Sequence, residues 1–263
     1  MAEKKIWVTW LPGDSGSQKP DRILKTLNDY GFRVSGAPWV DDLERMAWYE
    51  LGTLLMEVDK VDLWFIAGTS NDLTSTRNRY ALSLVSAIIC EGRGTNFPIF
   101  CLVLDGTIDP AAMPLLTRDI SFLSAASPDW PAKIATAFLK QAKIDPRSFR
   151  FNAVGHPVIG QWFEVGPREG EWQGVMFGVS SEGNIVHHMV GPKGQLPEKS
   201  TLEYPIIGIK AEVGGVEYTA SSVQNRISLN DSYFIKVEGF PCRILFGGHP
   251  GTDQAEVTVI ELS

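Results

Sequence analysis

Val61-Asp-Leu-Trp-Phe-Ile-Ala-Gly68 is apolar at nearly every position. A strand with one wet face would alternate, so this run predicts a parallel strand covered on both sides, with Trp64 and Phe65 in the core. The same grammar repeats outward from it. Upstream, residues 6–10 read as a buried strand. Residues 21–30 then place Ile23, Leu24, Leu27 and Tyr30 on one helical face, closed by Gly31, and residues 32–40 read as a second strand. The next helix carries Leu43, Ala47, Leu51, Leu54, Leu55 and Val58 as a stripe, with Glu44, Arg45 and Glu57 left for water. Downstream, Ala81, Leu84, Val85 and Ile88 mark a third helix, and residues 97–104 make a fourth strand. A proline-punctuated stretch comes next, then a fifth strand at 120–123 and a closing helix marked by Ile134, Ala137 and Phe138. Parallel strands need crossover helices, so this βαβα order predicts a five-stranded parallel, flavodoxin-like sheet with flanking helices.

The pattern changes near residue 147. Nine glycines lie in residues 1–149 and sixteen in 150–263, while six of the eight tryptophans fall in the first part. Helical periodicity stops and alternation begins: Val175, Phe177 and Val179; Ile207, Ile209, Ala211 and Val213; Tyr233, Ile235 and Val237. Gly214-Gly215, Pro192-Lys193-Gly194 and Gly247-Gly248 are expected turns. About eight or nine strands predict an antiparallel β-sandwich or jelly roll. The expected domains are 1–147 and 148–263, joined by a short linker around residues 143–148.

Twenty-four Lys and Arg against 31 Asp and Glu give a net charge of -7, which removes the broad basic footprint that nucleic acid or anionic lipid requires. Cys90, Cys101 and Cys242 are odd in number and set in apolar stretches, which argues for a reducing compartment rather than a disulfide framework. No segment has the length and apolarity of a membrane span, and no leader pattern opens the chain, so a cytoplasmic location is expected.

Ligands of open parallel sheets bind outside the carboxyl ends of the strands. Two loops there are candidates. The first, residues 11–19, offers Gly13, Asp14, Ser15 and Ser17 before Lys19. Its glycines and hydroxyls suit an anion held by backbone N–H groups, although the Walker A spacing is absent. The second, residues 68–77, offers Ser70, Asn71, Ser75 and Arg77, with Arg79 nearby; its plainer reading is an N-cap by Thr74 or Ser75. Asp41 and Asp42 end the second strand on this side, and as neighbours on a strand only one of them faces a given pocket.

A helix ending Asn28-Asp-Tyr-Gly-Phe-Arg-Val34, a strand finishing Trp39-Val-Asp-Asp42, and Asp62-Leu-Trp-Phe-Ile-Ala-Gly-Thr-Ser70 before a helix together resemble a prokaryotic TIR-like domain. Phe97-Pro-Ile-Phe-Cys-Leu-Val-Leu104, Pro114-Leu-Leu116 and Asp129-Trp-Pro-Ala-Lys-Ile134 are similar to the tail of such domains. The resemblance covers residues 5–142 and none of the β-rich half. It implies either NAD cleavage or protein interaction, because the family contains both kinds of member. Its NAD-cleaving members carry a glutamate early in the helix after the third strand. Here that helix runs from Ser75 with Thr-Arg-Asn-Arg-Tyr-Ala-Leu-Ser-Leu, and its first carboxylate, Glu91, lies about 24 Å further along the axis. An oxocarbenium-like transition state needs a carboxylate beside it, so the departure argues against NAD cleavage by the family's arrangement. Trp48-Tyr49-Glu50-Leu51 has a similar wording, but it sits in the helix after the second strand.

His156, His187, His188 and His249 all fall in the β-rich half. His187 and His188, adjacent on a strand, face opposite ways and do not chelate one metal together; a zinc site from His156, His188 and His249 has no spacing to support it. Cys90 and Cys101 read as buried small hydrophobes. No catalytic residue and no metal ligand is assigned. The leading expectation is a non-catalytic TIR-like or flavodoxin-like module for a nucleotide, a small anion or a protein partner, fused to a β-sandwich with a second binding surface. The alternatives are an NAD-cleaving or nucleoside-processing enzyme using Asp42 or Glu50, and an FMN-binding flavodoxin-like protein; a homo-oligomer is a further expected partner.

Overall fold

The computed structural model describes residues 3–12, 20–138, 147–248 and 257–263. The chain divides into two compact units, one of Met1–Leu43 with Glu50–Asp145, the other of Glu44–Tyr49 with Pro146–Ser263.

The first unit is α/β. Strands β1 (Lys5–Trp10), β2 (Arg33–Pro38), β3 (Leu63–Gly68), β4 (Ile99–Val103) and β5 (Ser121–Ser124) form one sheet in the order β2-β1-β3-β4-β5, with every pairing parallel. This is the flavodoxin-like order, whose topological switch point lies between β1 and β3. β3 is buried along its whole length, as its unbroken apolar run requires. On one face Ile6, Val8, Phe65, Ala67, Phe100 and Leu102 pack with Leu27, Phe32, Trp130 and Ile134 from the helical layer. Trp64 is fully buried, and its indole Nε1 donates to Thr9 Oγ1 at 3.0 Å, so the one polar atom of that ring is satisfied inside.

Helices α1 (Asp21–Asp29), α2 (Ala47–Leu55), α3 (Ser70–Thr74), α4 (Thr76–Arg93) and α5 (Trp130–Ala137) connect the strands, with 3-10 turns at Pro110–Ala112 and Leu115–Thr117. α1 stops at Asp29, one residue short of the expected end, but is closed by Gly31 as the sequence predicts. Gly31 takes φ +84, and the N–H groups of Gly31 and Phe32 donate to the carbonyls of Asn28 (2.8 Å) and Leu27 (3.2 Å), a Schellman closure. α4 carries an almost continuous buried run from Tyr80 to Ile89. Arg93 ties its end to the rest of the unit by donating to the carbonyls of Leu55 (2.9 Å) and Val61 (3.0 Å). Two expected core positions lie outside. Tyr30 is 49% and Val58 69% exposed, because α1 and α2 stop at Asp29 and Leu55 and the helical phase no longer governs the residues beyond them. α2 also starts later than its apolar stripe, at Ala47, after Met46 adopts φ +56.

Among the described residues the second unit contains nine antiparallel strands: β6 (Phe149–His156), β7 (Gly160–Pro167), β8 (Trp172–Val179), β9 (Gly183–Pro192), β10 (Ile206–Val213), β11 (Val216–Ile227), β12 (Asp231–Gly239), β13 (Arg243–Gly248) and β14 (Thr258–Glu261). They form two sheets, β10-β11-β8-β13-β14 and β6-β7-β12-β9. Phenylalanines join the sheets: Phe163 of β7 meets Phe177 of β8 at 5.9 Å between centroids, and Phe246 of β13 stacks at 6.1 Å on both Phe151 and Phe177. This aromatic layer is the core of a sandwich. Three details differ from the sequence reading. Gly247-Gly248 is the end of β13, paired with Met176 and Val175, and not a turn. Ile207 is 69% exposed because a bulge at Gly208 (φ +78) breaks the alternation before Ile209. The expected linker lies mostly outside the described residues, as do residues 13–19 and His249.

Candidate functional site

The carboxyl edge of the parallel sheet is built from the ends of β1, β2, β3 and β4. Of the residues that the sequence placed there, Gly13, Asp14, Ser15 and Ser17 lie outside the described residues. The rest follow β2 (Asp42) and β3 (Ser70, Asn71, Ser75 and Arg77). Residues 68–77 are more ordered than a loop. Thr69 caps α3 in a capping box: its Oγ1 accepts from the Asp72 N–H (3.1 Å), and its own N–H (3.3 Å) and hydroxyl (2.7 Å) donate to Asp72 Oδ2. Ser75 ends α3 and caps α4, accepting from the Asn78 N–H at 3.3 Å, as the N-cap reading expects. Asn71 is exposed, and its carbonyl accepts from the Ser75 N–H at 3.1 Å.

Two aspartates take the groups that an anion would use. Ser70 donates its backbone N–H (2.9 Å) and its hydroxyl (3.4 Å) to Asp105 Oδ1, just beyond β4. Gly106, at φ +66, makes this approach feasible, since a Cβ there would come within 2.8 Å of Ser70 Oγ. Arg77 Nε donates to Asp41 Oδ1 (3.0 Å) and Oδ2 (3.3 Å), an ion pair in which both side chains are about half exposed. Asp42, its neighbour, is half-buried. Arg79 donates to the carbonyl of Ala112 at 3.3 Å. Asp105 is the member of this edge that sequence reasoning missed. Its signal was its place immediately past the fourth apolar run, where a side chain necessarily reaches the same edge. Glu50 is exposed on α2, and Glu91 is the third residue from the end of α4.

A groove lies at the opposite, amino edge of the sheet. It has a volume of about 290 Å³ and is lined by Lys5, Trp7, Arg33, Leu54 and Lys60 among others. Lys5 Nζ donates to the carbonyl of Asp59 at 2.5 Å, Lys60 pairs with Glu57, and the rest of the lining mixes apolar Val34, Leu54 and Val61 with Ser35 and Asp59. Sequence reasoning overlooked these cations because it followed the rule for carboxyl ends.

In the sandwich, His188 is buried with Nδ1 2.6 Å from the hydroxyl of Tyr233, while His187 is exposed and meets Trp162 edge-on. They do face opposite ways. Burial, and then the charge of His187, hold the His188 imidazole below its usual range; burial pushes the Tyr233 phenol up. His156 belongs to β6 and His188 to β9, at opposite edges of a four-stranded sheet and therefore about 14 Å apart at strand spacing, beyond the reach of one metal ion. A cleft of about 540 Å³ beside β9 is lined by His187, His188, Glu198, Lys199 and Ser200 among others. Among the described residues no group of three His, Cys, Asp or Glu gathers as a metal centre, and no helix is long and apolar enough to cross a membrane. Cys101 is buried, which pushes its thiol up and away from thiolate chemistry. No protein-family model matches the chain, and a search of curated proteins finds no match either.

Proposed function

We propose that the chain is a non-catalytic binding module, in which a TIR-like α/β unit meets a protein partner at the carboxyl edge of its sheet and the β-sandwich supplies a second binding surface. The observation that carries this reading is the internal pairing of that edge: Ser70 is bonded to Asp105, and Arg77 to Asp41. A phosphate arriving there would have to displace carboxylates of its own charge. A protein partner with basic side chains instead finds an acidic, hydrogen-bonding rim that Asp41, Asp72 and Asp105 already hold in position.

Anion or nucleotide binding is a second reading with its own support, the amino-edge groove lined by Lys5, Arg33 and Lys60. Calorimetry with NAD, AMP and inorganic phosphate, combined with an assay for nicotinamide release, separates the two. The module reading expects no turnover and no binding that depends on Arg77. Nicotinamide release, or nucleotide binding lost in Arg77→Ala, would overturn it; binding lost only in Arg33→Ala would establish the amino-edge reading. A yellow preparation with flavin absorbance would instead identify FMN.

A further inference from the structure

β10 lies at the end of the order β10-β11-β8-β13-β14, so among the described residues it is paired on one side only. It joins β11 through the two-residue turn Gly214-Gly215, at φ +59 and +75, with Val213 opposite Val216. In such a hairpin the flanking residues exchange both backbone hydrogen bonds, and alternate pairs do the same. Ile209, Ala211 and Val213 therefore turn their N–H and C=O groups toward β11, while Lys210 and Glu212 turn theirs to the open edge. The strand also carries an electrostatic defect. Glu212 stands directly opposite Glu217 of β11, and both are exposed. Like charges in facing positions destabilise a sheet, and neither carboxylate has an ion-pair partner among the described residues. The edge of the other sheet is managed differently. There Ser200 Oγ accepts from the Val190 N–H (2.7 Å) and donates to its carbonyl (2.9 Å), plugging the edge of β9. β10 instead begins with Ile206 and Ile207 at 48% and 69% exposure, two residues after Tyr204 at 79%.

We propose that the β10 edge is a homodimer interface, in which β10 pairs antiparallel with β10 of a second copy about a two-fold axis through Ala211. Charge complementarity selects the occupant and the register. An axis through Lys210 or Glu212 would put like charges face to face. An axis through Ala211 puts Lys210 opposite Glu212 of the second copy, and the reverse, as two pairs that also exchange the open backbone hydrogen bonds. Each arriving ammonium leaves the Thr219 hydroxyl of its own hairpin (2.7 Å), lands beside Glu212 and offsets one of the two charges of the Glu212–Glu217 pair. On the other side of the strand Ile209 faces Val213 of the second copy, and the small Ala211 occupies the axis, where facing Cα atoms approach to about 4.5 Å. The interface is isologous, so it closes as a dimer. It holds whatever the α/β unit binds.

Sedimentation velocity on the full chain is the test. The wild type is expected to sediment as a dimer, twice the monomer's 29.0 kDa. Lys210→Glu and Glu212→Lys each convert both cross-copy pairs to like charges, and each should raise the dimer dissociation constant by about tenfold or more. The double exchange restores opposite pairs and should return the constant to within about threefold of wild type. Glu212→Lys also removes the clash with Glu217, so at a dilution where both proteins are monomers it should melt no lower than wild type, which separates loss of association from misfolding. A monomeric wild type at 100-fold varied concentration, a dimer indifferent to either single exchange, or a double exchange that fails to restore the dimer would each overturn the proposal.

Discussion

Replacing Glu164 of β7 by leucine should destabilise the sandwich by about 3–5 kcal/mol, whereas glutamine should cost only about 1 kcal/mol. Glu164 is 5% exposed, and its Oε1 accepts from the Gly194 N–H (2.7 Å) and the Ser232 hydroxyl (2.7 Å), while Oε2 accepts from Asn152 Nδ2 (3.3 Å). Leucine fills the space but removes both acceptor oxygens and with them all three hydrogen bonds. Gly194 is exposed and Asn152 partly so, and both can return to water; Ser232 is fully buried and cannot. Leaving that hydroxyl unpaired costs about 1–3 kcal/mol, and each lost bond to a charged group adds about 1.5–3 kcal/mol before rehydration recovers part of it. Glutamine keeps one oxygen for Gly194 and Ser232, and the Asn152 amide can turn its carbonyl toward the new NH₂ only by giving up the bond it accepts from the Ala153 N–H (2.9 Å), which accounts for the smaller cost. The assay is equilibrium urea unfolding followed by circular dichroism. With a slope of about 1–3 kcal/mol/M, the leucine variant should lose about 1–5 M in midpoint. A leucine variant within about 1 kcal/mol of wild type, or a glutamine variant as damaged as leucine, would refute the account, because acceptor number would then not be what the site requires.

Phe65→Ala, at a fully buried position 5.7 Å from the Trp130 ring, should cost the α/β unit about 3–5 kcal/mol in the same assay; a loss under about 1 kcal/mol would mean that its cavity collapses freely. Gly36→Ala should unpair β2 from β1, since a Cβ there would lie 2.1 Å from the Val8 carbonyl oxygen; unchanged stability would contradict that close approach. His188 ties stability to pH. Its folded-state pKa lies below the ordinary 6.5, so the unfolded chain takes up the proton first. The contribution is complete above about pH 6.5 and is lost as pH falls through the lower folded value. His188→Gln should flatten the slope of stability between about pH 7 and 5, and an unchanged slope would assign that titration elsewhere.

Much of this architecture is written locally. The unbroken apolar run of β3, the helical stripes between strands and the C-terminal Gly31 specify parallel strands with crossover helices, because period and covering are properties of consecutive residues. The change to alternation after residue 147 likewise marks the antiparallel half. Local pattern fails where an element ends: Tyr30 and Val58 continue a stripe on paper, but the helices stop before them and no core remains to receive them. It fails again at Gly208, where a single inserted residue reverses the facing of Ile207. The carboxyl edge shows the deeper limit. That Ser70, Arg77 and Asp42 would gather near the strand ends is a consequence of topology alone. That Asp105 would bond Ser70 across 35 positions, and Asp41 would bond Arg77 across 36, depends on how β2, β3 and β4 are set side by side. The same holds for Glu212 and Glu217, five residues apart in the chain and made into opposed charges by the register of one hairpin. A sequence determines which groups are available, since composition and period are local; only tertiary pairing decides which charges meet, since electrostatic energy depends on distance through space.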